Sequence, residues 1–229
     1  MIRIFIGYDR REAIGFQVLA HSIISRGSAP VSITPIALQN LGGLYRRDMD
    51  PLQSTEFSFS RFFTPYLAGY SGWAIFMDCD CICLDDIANL WALRDDRYAL
   101  QCVQHDHRPT GATKFWGAAQ TQYEKKNWSS VMLMNAARCT ALTPNYVNTA
   151  SGLDLHRFRW LENADEIGAL PARWNHLVGY SEGALENQSL LHFTEGAPYM
   201  AGFGASKWAD VWRQEAASIR DTSGNPRLR

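Results

Sequence analysis

Residues 2–36 read IRIFIGYDRREAIGFQVLAHSIISRGSAPVSITPI. Residues 2–6 are an apolar run closed by Gly7, the pattern of a buried strand. Across residues 11–25, Ile14, Val18, His21 or Ser22, and Ser25 recur at helical spacing, with Leu19 and Ile23 beside them. Arg26-Gly27 stops that helix. Residues 31–36 return to a strand pattern whose length Pro35 limits. Strand, helix and strand in about 35 residues form a βαβ unit, so an α/β fold with a mainly parallel sheet is expected.

The rest of the chain extends this unit. Residues 60–68 predict a helix, and residues 73–77 (WAIFM), 98–103 (YALQCV) and 130–134 (SVMLM) predict buried strands. A helix or turn starts at Thr143-Pro144-Asn145, and Trp174-Asn175 and residues 190–193 read as late strand or edge elements. Residues 39–59, rich in Gly, Arg and Asp, read as a long polar loop, the kind that tends to carry function. Residues 1–220 are expected to form one catalytic domain, with 221–229 a frayed tail.

Composition narrows the function. The 229 residues carry 22 Lys+Arg against 23 Asp+Glu, which argues against a polybasic nucleic-acid binder. No apolar run reaches membrane-spanning length, and residues 1–10 lack the order of a signal peptide. Five cysteines, an odd number without a Cys-x-x-Cys pair, point to reduced thiols and a cytoplasmic location. The stretch with Trp208, Trp212, Arg213 and Arg220 reads as an amphipathic closing helix, with peripheral membrane contact as the alternative.

Chemistry concentrates in FMDCDCICLDDI, residues 76–87. An apolar strand runs into Asp78-Cys79-Asp80, and on extended backbone residues i and i+2 face one side. Two carboxylates at the carboxyl end of a strand suit Mg2+ or Mn2+ bridged to a diphosphate. Cys79 and Cys81 fall to the other face as small buried side chains, Cys83 lies off the strand, and their spacing does not make a zinc site. His105-Asp106-His107 reads as a polar loop at the pocket mouth, with a second metal pair as the alternative.

Six segments in this order resemble the GT-A-fold glycosyltransferases, above all the retaining family-eight group and its bacterial relatives. They are IFIGYD (4–9), FSFSRFFTPYL (57–67), WAIFMDCDCICLDDIANLW (73–91), KNWSSVMLMN (126–135), LPARWN (170–175) and LLHFTEGAP (190–198). The resemblance implies a Rossmann-like fold, a nucleotide-sugar donor (UDP-linked) and Mn2+ (or Mg2+) held by Asp78, Asp80 and His192. It places Tyr8, Asp9, Arg61, Asp78, Cys79, Asp80 and Gly196 around the donor. Tyr8 would stack on the base and Asp9 accept from its ring N–H, while Asp9 as a helix cap is the structural alternative. Arg61 would hold a donor hydroxyl, carboxylate or phosphate, or else pair with Asp78 or Asp85. Asp154 stands where the family's acidic residue near the donor sugar is expected, or else is a helix N-cap.

The chain departs from the family in two places. Lys126-Asn127-Trp128-Ser129-Ser130 stands where Phe-Asn-x-Gly is usual, with Trp128 near the Asn and Ser130 near the Gly. Gly196-Ala197-Pro198-Tyr199 lacks the Lys of Lys-Pro-Trp that binds the diphosphate, so the Gly196 amide, Arg61 or Lys126 would have to serve. The expected activity is transfer of a sugar to a saccharide, lipid-linked or protein acceptor. Its rivals are a haloacid-dehalogenase-type phosphatase with Asp78 as nucleophile and a non-catalytic nucleotide-sugar binding module.

Overall fold

A computed structural model describes residues 1–49, 53–106 and 124–220. Its first unit is strand β1 (Ile2–Tyr8), helix α1 (Ala13–Arg26) and strand β2 (Val31–Ala37), with β1 and β2 parallel from Ile2 against Val31 to Tyr8 against Ala37. Pro35 does not end β2 early; the strand runs on to Ala37. It lies at the sheet edge, where proline is tolerated because one side of the ladder needs no donor.

Two short helices follow, α2 (Leu38–Leu41) and α3 (Thr64–Leu67), the second continuing a 3-10 turn at Ser60–Phe63. Strand β3 (Trp73–Met77) pairs parallel with the other edge of β1. Next come β4 (Cys81–Cys83), α4 (Ile87–Trp91), β5 (Leu100–Cys102) and β6 (Val131–Asn135). Then follow α5 (Pro144–Thr149), α6 (Gly152–His156), β7 (Ile167–Ala169), β8 (His176–Leu177), β9 (Leu190–His192) and α7 (Ala209–Arg220).

The central sheet has the order β2-β1-β3-β6-β5-β7. Only β6 runs against its neighbours, β3 and β5; the other pairs are parallel, so the α/β class with a mostly parallel sheet holds. Strands β1, β3 and β6 are apolar on both faces, and Ile4, Ile75, Phe76 and Leu133 are wholly buried.

A second sheet, β4-β9-β8, sits beyond the carboxyl end of β3. Cys83 therefore does belong to a strand, but to β4 after a turn at Cys79-Asp80, not to the strand that leads into Asp78. Helix α7 closes this side against α1, with Trp212 buried and Glu215 between His21 and Arg26. No helix among the described residues is long and apolar enough to cross a membrane.

The segment predicted as a polar loop is only partly one. It begins with α2, and Thr55, Glu56, Phe57, Ser58 and Phe59 are buried. Residues 50–52, His107 and the tail 221–229 lie outside the described residues.

Candidate functional site

The site forms where the end of β3 meets the start of β4 and the end of β9. Strand β3 ends at Met77, and the chain turns at Cys79-Asp80. The i, i+2 rule for extended backbone therefore does not hold through Asp80. The two carboxylates feel each other, but each meets a different partner.

Asp78 Oδ1 lies 2.7 Å from Arg61 Nη1. The same nitrogen donates to the Ser129 carbonyl at 2.9 Å, and Asp78 Oδ1 receives no aligned hydrogen bond. Arg61 Nε reaches the Ser58 carbonyl, and the guanidinium lies over the Phe57 and Phe76 rings. This buried cation is thus locked in place and pairs with Asp78, the structural alternative read for it. Burial pushes the Asp78 carboxyl up to about 6, with Arg61 opposing the rise and Asp80 adding to it.

Asp80 Oδ1 lies 3.3 Å from His192 Nε2 and also receives no aligned hydrogen bond. Burial alone would lower the His192 pKa; the Asp80 and Asp78 charges outweigh it and raise it. His192 Nδ1 sits 3.0 Å from Asn175 Oδ1, and Asn175 Nδ2 donates to Ser130 Oγ and the Asn127 carbonyl. The divergent segment 127–130 is thus the rear wall of the site. Its Ser129 carbonyl holds Arg61, its Ser130 carbonyl accepts from the Asp78 amide, and its Ser130 hydroxyl steadies Asn175.

A buried Asp80 oxygen without an aligned donor, 3.3 Å from an imidazole nitrogen, fits a divalent cation. Among the described residues, the ligand atoms of Asp80, Cys81 and His192 lie within 4.8 Å of one another. Asp78 stands outside that group, held by Arg61.

The remaining predicted residues divide. Tyr8 is half-buried and packs edge-on against Phe16, with ring centroids 5.7 Å apart. Asp9 is fully buried and caps the first turn: its oxygens accept from the Arg11 amide and side chain and from the Glu56 amide. Burial would raise its pKa, but these donors lower it. Asp9 is thus the cap of this turn, the structural role read for it.

Two site readings are corrected. The Gly196 amide donates to the Phe193 carbonyl and is not offered to a phosphate. Glycine is needed there because a Cβ would come within 2.5 Å of the Phe203 ring. Asp154 is not the N-cap; Ser151 is, and Asp154 sits three residues on with its carboxylate held by Ser151 Oγ and Arg159. Cys79 is fully buried, its thiol pKa raised by burial and then by Glu12 and Asp80. The carbonyl of His105 accepts from Trp128 Nε1.

Sequence reasoning missed Glu12, which is 1% exposed. Its Oε2 accepts from Tyr199 Oη at 2.8 Å, and its Oε1 receives no hydrogen bond. Burial, then the Asp80 charge, pushes its carboxyl up to about 8. Its place one turn after β1 was the available signal. Asn175 was likewise read only as part of a strand or edge.

The chain matches no protein-family model. It is 48% identical over 221 residues to Protein CDI of Arabidopsis thaliana, covering 93% of this chain and 85% of that one. The chain belongs to the Protein CDI family. Among solved structures, this CDI-family chain superposes on the bifunctional glycosyltransferase WbbM with a TM-score of 0.66 at 13% identity, covering 98% of the chain and 50% of WbbM. It thus spans half the length of WbbM. The galactosyltransferase LgtC, solved with donor and acceptor sugar analogues, superposes with a TM-score of 0.62 at 16% identity, covering 99% of both chains. GlyE of Streptococcus pneumoniae gives 0.64 at 13% identity, covering 94% of this chain and 61% of GlyE. At such identities the likeness concerns the fold, and the fold is GT-A.

Proposed function

We propose that this CDI-family protein is a metal-dependent glycosyltransferase. It moves a sugar from a nucleotide-diphosphate donor, a UDP-sugar by its resemblance, to a saccharide, lipid-linked or protein acceptor with retention at the anomeric carbon. The observation that carries this reading is the pairing of Asp80 with His192 just past the carboxyl end of β3. Ligands bind beyond the carboxyl ends of strands in open α/β sheets. The GT-A fold supports it.

Asp78, Asp80 and His192 would hold Mn2+ or Mg2+, which supplies positive charge where the leaving diphosphate gains negative charge. Arg61 keeps Asp78 in place through its 2.7 Å contact. The half-buried Tyr8 ring offers a face for the donor base, and Asp9 fixes the turn that presents it. Cys79 contributes backbone to the turn between the carboxylates. Asp154, engaged by Ser151 and Arg159, is assigned no part in the transfer. Five free, buried thiols suit a reducing cytoplasm.

A haloacid-dehalogenase-type phosphatase using Asp78 as nucleophile is disfavoured, since the fold is the GT-A fold. The binding-module reading draws on the occupied Gly196 amide and the missing Lys. Turnover separates the two remaining readings. The protein is screened by thermal shift against nucleotide sugars with and without Mn2+, then assayed for release of free nucleotide diphosphate. Asp80→Asn should abolish release without unfolding the chain. Full activity in that variant would remove the cation assignment, and binding without turnover in the wild type would favour the module.

A further inference from the structure

The sulfur of Cys81 lies close to the Asp80 carboxylate and the His192 ring. Cys81 and His192 are directly opposed across the antiparallel β4–β9 pair, so both side chains stand on one face. Their neighbours Ile82 and Leu191, also opposed, fall on the other face and pack in the cluster that holds Val18, Phe193 and Trp212. This alternation turns Cys81 away from the apolar layer beneath α7 and to the face of the main core, on the His192 side. The ligand atoms of Asp80, Cys81 and His192 lie within 4.8 Å of one another, all three residues buried. Asp80 Oδ1, without an aligned donor, completes a set of oxygen, nitrogen and sulfur.

The tautomer is set from behind. Asn175 donates through Nδ2 to a carbonyl and to Ser130 Oγ, whose own proton goes to the Asn127 carbonyl. Its Oδ1 must then accept, so His192 Nδ1 carries a proton and Nε2 is the atom offered to a ligand. A second carboxylate would be expected beside it for a hard cation. No Asp78 oxygen falls within the 4.8 Å group, and the Cys81 thiol is the third donor that does.

We propose that Cys81 is a ligand of the cation site, which takes a borderline-soft divalent cation of the zinc or cobalt class through Asp80, Cys81 and His192. Thiolate and imidazole suit such cations better than Mg2+ or Mn2+. Binding breaks the S–H bond, forms a metal–sulfur bond and releases one proton to solvent, with no change of oxidation state. This rests on the cation site of the proposed function and changes which cation that site prefers.

Metal-free protein titrated with CoCl2 alone should bind the ion and develop sulfur-to-cobalt charge-transfer absorption in the near ultraviolet. ZnCl2 should displace it. Cys81→Ser and Cys81→Ala should lose the band and weaken zinc binding by at least about tenfold, the lower bound for losing even an outer partner. Cys139→Ser, whose thiol faces the Ala99 carbonyl, should keep it. If the Cys81 variants do not fold by circular dichroism, X-ray absorption of the zinc-loaded wild type decides: a sulfur shell at about 2.3 Å supports the proposal, and a shell of oxygen and nitrogen alone overturns it. Cobalt bound without the band, or a band that survives in Cys81→Ser, overturns Cys81 as a ligand and leaves the glycosyltransferase reading intact. A wild type that binds no divalent cation overturns the cation site and this proposal with it.

Discussion

Asn175 presents its side-chain oxygen 3.0 Å from Nδ1 of His192, and both residues are almost wholly buried. The amide cannot turn over without facing its NH2 toward a ring N–H and its oxygen toward the Asn127 carbonyl. His192 is therefore aimed by Asn175. Asn175→Leu should weaken divalent-cation binding by about 10–100-fold, the usual cost of losing such an orienting partner. Asn175→Asp should keep His192 protonated on Nδ1. Calorimetry reads the affinity and the 15N shifts of His192 read the tautomer. Unchanged affinity in Asn175→Leu would show that packing alone orients the ring.

Glu12 gives the metal-free protein a pH dependence of defined sign. Burial and the Asp80 charge raise its folded pKa from 4.5 to about 8. A carboxyl raised on folding adds stability that is full below its unfolded pKa and lost as pH climbs through the folded one. Wild-type stability should accordingly carry a falling contribution from Glu12 between about pH 4.5 and 8. Glu12→Gln should flatten that part of the slope, leaving it more stable relative to wild type at pH 9 than at pH 5. Urea unfolding at a series of pH values measures both. Parallel profiles would mean that the Glu12 carboxyl titrates alike in both states.

The contrast between residues 73–80 and Asn175 shows what the sequence could disclose. Strand β3 is legible because five apolar residues in a row can only be buried, and Trp73–Met77 is the strand found. Asp78 and Asp80 are legible as a pair from spacing. Their division between Arg61 and His192 is not, because it depends on a turn at Cys79-Asp80 and on a second sheet of strands only two or three residues long. Such strands carry too few residues for a period to register. Asn175 and Glu12 are set by contacts 17 and 187 residues away in sequence, beyond any local pattern. Asp9 shows the opposite case: its cap contact is two residues away, and the local rule captured it.

Gly15 lies on the face of α1 turned toward the site. A Cβ there would meet Tyr199 Oη at 2.6 Å and the Cys79 carbonyl oxygen at 2.9 Å. Alanine in a helix interior gains about 0.8–1 kcal/mol over glycine. Crowding against a backbone carbonyl costs about 1–3 kcal/mol, so destabilisation should win. Gly15→Ala should lower stability and disturb the Tyr199–Glu12 hydrogen bond. Adding Tyr199→Phe should relieve the nearer clash and recover part of the loss. Denaturant unfolding of the single and double variants tests this, and a stabilised Gly15→Ala would show that α1 can shift away from the turn at no cost.

Helix α7 is held to α1 by a buried acid. Glu215 Oε1 lies 2.6 Å from His21 Nδ1, and Oε2 accepts from Arg26 Nη2 at 2.7 Å. Burial would raise the Glu215 pKa, but Arg26 and His21 together lower it. The stability it adds is present above its unfolded pKa of about 4.5 and is lost as pH falls through the lower folded value. Glu215→Gln preserves the shape and removes the charge, so it should cost about 1.5–3 kcal/mol near neutral pH, the range for hydrogen bonds to charged groups. The difference between variant and wild type should shrink as pH drops below 4 and the carboxyl becomes neutral in both states. Thermal or urea unfolding at pH 7 and at successively lower pH measures the gap. A gap that stays constant into acid would mean that Glu215 acts through packing, with Trp212 and Val211 carrying the docking of α7.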